Sequence, residues 1–73
     1  MNYAQEQRLR FIDCMLVYYG HIGRRELCDF FGIGEATATR DFRLYDKYAP
    51  DNLVMDTKAK CWQKSKNFNR IFA

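Results

Sequence analysis

Apolar side chains recur with helical spacing through the first fifty residues and then switch to short alternating runs. In the first stretch Leu9, Ile12, Leu16 and Tyr19 share one helical face. Phe11, Met15 and Tyr18 lie on an adjacent face, and Glu6, Arg10 and Asp13 are left toward water. Asn2 followed three residues later by Gln5 has the form of a capping box, and Gly20 suits a helix end, so a first helix is predicted over about 3–19. Its apolar arc is too wide for a single contact. Either the wing region that follows folds over the second face or a partner subunit does, the partner being the preferred cover.

His21-Ile22-Gly23 has room only for a turn or a strand of two to three residues. Gly23 serves as the N-cap of a short second helix, about 24–31, with Leu27, Phe30 and Phe31 as its buried side. Gly32-Ile33-Gly34 then supplies bends on either side of one apolar anchor, which is what a tight helix-to-helix turn needs. A third helix follows over about 35–48, with Ala38, Phe42 and Tyr45 continuing the core, and Pro50 stops it. Leu53-Val54-Met55-Asp56 and Cys61-Trp62-Gln63-Lys64 form a β-hairpin over about 53–64, its four-residue tip carrying Lys58 and Lys60. Phe68, Ile71 and Phe72 return to a core or to a partner. The fold class is mainly α with a small β-hairpin, in a single domain spanning 1–73.

Helix, short strand, helix, tight turn, helix and hairpin is the order of a winged helix-turn-helix, in which the third helix enters the DNA major groove and the hairpin tip touches backbone or minor groove. Deep entry needs short side chains: Ala36, Thr37 and Thr39 meet that need and add hydroxyls for phosphate and methyls for thymine. Arg40 supplies a fork for guanine or phosphate; its competing role is an ion pair with Asp41, Asp46 or Glu26. Glu35 and Arg43 complete the candidate surface of this helix. Arg24 and Arg25 stand at the start of the second helix, where the helix dipole disfavours them, and are candidate backbone clamps; Lys58 and Lys60 are candidate phosphate contacts.

The segment Gly20-His21-Ile22-Gly23-Arg24-Arg25-Glu26-Leu27, with Phe31-Gly32-Ile33-Gly34-Glu35-Ala36-Thr37-Ala38-Thr39-Arg40-Asp41-Phe42, resembles the helix-turn-helix of DeoR-type repressors. It is more similar still to the N-terminal winged helix of bacterial WYL-domain transcription regulators. Tyr45, Pro50-Asp51-Asn52-Leu53 and Phe68 fit that second family, and the resemblance covers roughly Leu9 to Phe72. It implies sequence-specific binding of double-stranded DNA, usually repression, by a dimer in a bacterial or phage-like setting, with Thr37, Thr39 and Arg40 as recognition-helix contacts. Three departures stand out. Gly34 replaces a serine or threonine cap, and Ala38 and Phe42 replace branched aliphatics. No ligand-sensing domain is expected after Ala73, which leaves control to dimerisation, abundance or a separate regulatory protein.

Composition narrows the alternatives. With 73 residues, 48% of them hydrophobic, the chain suits one small core that often gains from oligomerisation. A homodimer through Phe11, Met15, Tyr18, Phe68, Ile71 and Phe72 is the expectation. Met1–Asn52 holds seven Lys/Arg against eight Asp/Glu, whereas Leu53–Ala73 holds five against one, so the formal charge of +3 is concentrated in the last third, an end suited to a polyanion. Cys14, Cys28 and Cys61 are odd in number with no C-x-x-C pair, which speaks against a disulfide framework or zinc ribbon and for reduced thiols. With Ser65 and His21 the only residues of their types, no catalytic constellation is visible. No enzyme, metal or cofactor is expected. No 18-residue apolar run and no signal-peptide pattern occur, so the expected compartment is the cytoplasm, without membrane contact. The rival is a protein-interaction module in which the wide face of the first helix and the Phe68–Phe72 stretch bind another protein and Arg40 is a salt-bridge residue.

Overall fold

The structure, a computed structural model, describes Met1–Phe72. Three helices, α1 (Tyr3–Tyr19), α2 (Arg24–Phe31) and α3 (Glu35–Tyr48), and three strands, β1 (His21–Ile22), β2 (Leu53–Asp56) and β3 (Cys61–Lys64), follow the predicted order. The expected winged helix-turn-helix is the observed fold.

Local chemistry sets most boundaries. The Asn2 side chain accepts from the Gln5 amide at 2.8 Å while the Asn2 amide donates to Gln5 Oε1 at 3.1 Å, satisfying two amides that the first turn of α1 leaves free. Gly20 ends α1 at φ 80° and Gly32 ends α2 at φ 67°, a left-handed conformation that strains any residue bearing a Cβ. Pro50 follows directly on the Ala49 cap of α3.

β1 is a strand rather than a turn, and it adds to the hairpin. The sheet order is β1-β3-β2, all antiparallel, with Ile22 opposite Trp62 and Met55 opposite Trp62 on the other side. The hairpin is thereby stitched to the end of α1, with the Lys64 amide donating to the Gly20 carbonyl at 2.9 Å. The core is built from Leu9, Ile12, Leu16, Ile22, Leu27, Ala38, Phe42, Tyr45 and Ala49.

Several faces differ from the linear pattern. Tyr19, the last residue of α1, is 68% exposed, and Phe30 is 67% exposed rather than part of the buried side of α2. Within the chain, the second apolar face of α1 is met by α2 and by the stretch after the hairpin rather than by the hairpin itself. Phe11 stacks on Phe30 at 4.4 Å between ring centroids and meets Phe31 edge-on at 5.4 Å. Beyond it the stretch Phe68–Phe72 lies back along α1, with the Arg10 guanidinium 4.8 Å from the Phe72 ring centroid and that of Arg70 5.9 Å from Tyr18.

The largest departure is Asp13, which faces the interior and is 1% exposed. Its Oδ1 accepts from the Tyr45 hydroxyl at 2.7 Å and from the Ile71 amide at 3.3 Å. Its Oδ2 accepts from the Phe72 amide at 3.2 Å and lies 3.6 Å from Arg70 Nε. Asn52 extends the network, its Nδ2 donating to the Tyr45 oxygen at 3.0 Å and to the Asn69 carbonyl at 2.7 Å, while its Oδ1 accepts from the Asn69 amide at 2.9 Å. A carboxylate out of water is tolerated only when its lone pairs are filled in this way. Asp13→Ala removes the acceptor for three donors at once and is expected to cost about 3 kcal/mol or more. Urea denaturation checks this, and a loss below about 1 kcal/mol would show those donors to be solvated.

Burial and the hydrogen bond to Asp13 push the Tyr45 phenol well above its ordinary value of 10.0, the Asn52 contact opposing them. The neutral phenol is the form the fold favours. Its contribution is therefore complete below the ordinary phenol value and is lost as pH rises above it. Stability measured by urea denaturation is expected to fall above about pH 10, and Tyr45→Phe is expected to flatten that alkaline limb. An identical alkaline limb in both proteins would count against it.

Candidate nucleic-acid interface

On α3 the buried positions Ala38, Asp41, Phe42 and Tyr45 occupy one side. The opposite side carries Ala36, Arg40, Arg43 and Lys47, spaced i, i+4, i+7 and i+11, so that three long cations stand in one exposed row behind a small residue. Thr37 and Thr39 flank the row, half-buried, and Glu35 is exposed in the first turn. Lys47 belongs to this surface although it was not among the expected contacts; the same spacing that joins Ala36 to Arg40 and Arg43 extends to it.

Between α3 and the hairpin runs an open cleft of about 730 Å³ lined by Arg24, Thr39, Arg43, Asp46, Thr57 and Lys60, with Phe42, Leu53, Met55 and Trp62 as its apolar floor. Phe42 and Trp62 form that floor with ring centroids 5.9 Å apart. Arg24 reaches it from the start of α2 and donates from Nη1 to Thr39 Oγ1 at 3.2 Å, which ties the second helix to the third on this face. The fold thus brings Arg24, Thr39, Arg43 and Lys60 together from two helices and the hairpin tip. Arg40 stands on the same exposed row, while Arg25 and Lys58 are exposed without lining the cleft.

The ion pair with Asp41 weighed for Arg40 is not formed. Asp41 is 2% exposed and binds Arg8 of α1 instead, and among the described residues Arg40 pairs with no carboxylate. Burying Asp41 also changes the charge that α3 shows to solvent: its exposed ionisable residues are Arg40, Arg43 and Lys47 against Glu35 and Asp46. The three cations and three acids of α3 thus become three cations against two acids at the surface.

The hairpin tip is held by one carboxylate. Asp56 Oδ1 accepts from the Lys58 and Ala59 amides, both at 3.1 Å, and Oδ2 accepts from Gln63 Nε2 at 2.8 Å. Lys60 takes a positive φ of 54°, which turns the chain into β3. Burial raises the Cys61 thiol above its ordinary value, with the negative charges of Asp56 and Glu26 adding to the effect, so it stays protonated at neutral pH.

Residues 4–73 match the family described as the BrxR transcriptional regulator winged helix-turn-helix domain. The chain belongs to this family. This BrxR-type winged helix is 41% identical over 71 residues, 97% of its length, to proteins named DNA-binding transcriptional repressor CapW from Escherichia coli strain KTE188 and from Pseudomonas aeruginosa. It is 39% identical over 71 residues to the CapW of Stenotrophomonas maltophilia. The matched region is 24% of each relative, so the chain spans about a quarter of the length of the curated relatives it matches. The family is one of transcriptional regulators, not of enzymes. Among the described residues no three His, Cys, Asp or Glu side chains are grouped to hold a metal ion, and no helix is long and apolar enough to cross a membrane.

Of the six residues expected to meet a second subunit, Phe11, Met15, Phe68, Ile71 and Phe72 pack partly against the core of their own chain, and Tyr18 is 67% exposed. In the BrxR-type hairpin, Asp56→Ala is expected to speed amide hydrogen exchange at Lys58 and Ala59 while global stability changes by about 1 kcal/mol or less, since only exposed hydrogen bonds are lost. Unchanged exchange at the tip would show that the turn holds itself.

Proposed function

We propose that the chain is the sequence-specific, double-stranded-DNA-binding domain of a transcriptional repressor and that it acts as a dimer in the cytoplasm. The observation that carries this reading is the exposed row of Ala36, Arg40, Arg43 and Lys47, bordered by Arg24 and the hairpin lysines, with Asp41 turned into the core. Membership of a regulator family and likeness to repressors named as DNA-binding support it.

In this reading α3 lies in the major groove. Ala36 lets the helix sit deep, Thr37 and Thr39 offer hydroxyls and methyls, and Arg40 reads guanine or grips phosphate, with Glu35 beside them in the first turn. Arg43, Lys47, Arg24 and Arg25 hold the backbone on either side, and Lys58 and Lys60 take phosphates under the hairpin. Dimerisation uses the outer edges of Phe11, Met15, Tyr18, Phe68, Ile71 and Phe72, and asks for half-sites about 34–36 Å apart. The rival reading, an interaction module with Arg40 in a salt bridge, is disfavoured because Arg40 has no such partner among the described residues.

Fluorescence anisotropy with a site selected from random duplexes, and with random duplex itself, tests the assignment. Arg40→Ala is expected to abolish preference for the selected site, whereas Lys58→Ala with Lys60→Ala weakens binding to all sequences alike. With five phosphates engaged per subunit, log K is expected to fall against log salt with a slope of about −9 for the dimer. Selectivity lost in the lysine variant but kept in Arg40→Ala would reverse the roles. No binding at 50 mM salt by folded protein would favour the interaction module, and sedimentation reports the dimer.

A further inference from the structure

α3 is attached to α1 by two buried polar contacts set one turn apart. Arg8 donates from Nε to Asp41 Oδ2 at 2.5 Å and from Nη2 to Oδ1 at 3.2 Å, with 14% of the Arg8 side chain and 2% of Asp41 exposed. Five residues further along α1, Asp13 accepts from the Tyr45 hydroxyl at 2.7 Å. Asp41 and Tyr45 lie on the side of α3 opposite Ala36, Arg40, Arg43 and Lys47.

Apolar packing of α3, through Phe42, the Tyr45 ring and Leu44, sets its rotation less sharply than directional bonds do. Of the other buried residues on or capping it, Ala38, Phe42 and Ala49, two are alanines with little shape to resist turning or sliding, and hydrophobic contact is non-directional. A forked guanidinium–carboxylate pair and a phenol–carboxylate bond are directional, and two of them separated along an axis fix both rotation and translation. The tolerance is narrow. With side-chain tips about 6 Å from the helix axis, a rotation of about 20° moves each tip by about 2 Å. Hydrogen bonds to base edges keep to a range of about 0.5 Å. Stability alone gives little reason to bury an ion pair, because desolvation offsets most of the attraction.

We propose that Arg8–Asp41 and Asp13–Tyr45 are specificity-determining positioning pairs: they set the register in which α3 presents its outward row, without touching DNA themselves. The proposal rests on the reading that α3 contacts DNA bases.

The test uses the duplex site selected with the wild-type chain, and random duplex as the reference. Arg8→Met combined with Asp41→Leu replaces the pair by apolar groups at unchanged net charge. Thermal unfolding establishes that it is folded. Its affinity for random duplex and its salt slope are expected to stay within about twofold, while affinity for the selected site falls about tenfold, the scale of one misplaced base contact. Arg8→Lys, which keeps the charge but loses the fork, is expected to give a smaller loss of the same kind and serves if the double variant does not fold. A ratio of selected to random affinity that stays at the wild-type value overturns the proposal, as does an equal fall in both affinities, which marks a merely structural role. A wild-type chain that binds duplexes but prefers none overturns the base-reading assignment, and the proposal with it.

Discussion

A carboxylate withdrawn from water has to be compensated on every side, and in this small domain much of the tertiary arrangement is what compensates Asp13. The Tyr45 hydroxyl comes from α3, the Ile71 and Phe72 amides and Arg70 from the stretch that follows the hairpin. None of these groups can leave without exposing the cost of a buried charge, which amounts to several kcal/mol. Asn52 closes the circuit by holding Tyr45 and Asn69 together. Every buried side-chain nitrogen or oxygen among the described residues has a partner.

That constraint shapes the surface as well as the core. α3 is held from behind by Asp13 and Arg8, which leaves its opposite side free to carry cations. Because Arg8 takes Asp41 out of solvent, the outward row of Arg40, Arg43 and Lys47 contains no acid. The hairpin, anchored through β1 to the end of α1, places Lys60 and Thr57 across a cleft from Arg43 and Thr39. Two buried pairings thus lie behind α3, and one of them removes an acid from its exposed side.

Much of the fold is legible along the chain because its signals are local. The Asn2–Gln5 box, the glycines at 20 and 32, Pro50 and the alternation of the hairpin act over a few residues, and their outcomes depend little on the rest of the molecule. Ala36, Thr37, Thr39, Arg40 and Arg43 were recognisable as a candidate surface from position and type. Lys47, one further step along the same row, needed only the spacing.

Sequence by itself determined the number and order of the helices, their ends, the hairpin and the polar face of α3, since hydrophobic period, caps and turns are properties of short stretches. Tertiary structure alone decided that Asp13 and Asp41 are inside, that Tyr19 and Phe30 are outside, that His21–Ile22 completes a sheet, and that Phe68–Phe72 covers α1. The physical reason is the same in each case. Whether a charged side chain can be buried, or a strand of two residues can exist, depends on partners 30 to 60 positions away, such as Asp41 for Arg8, Phe72 for Asp13 and Trp62 for Ile22.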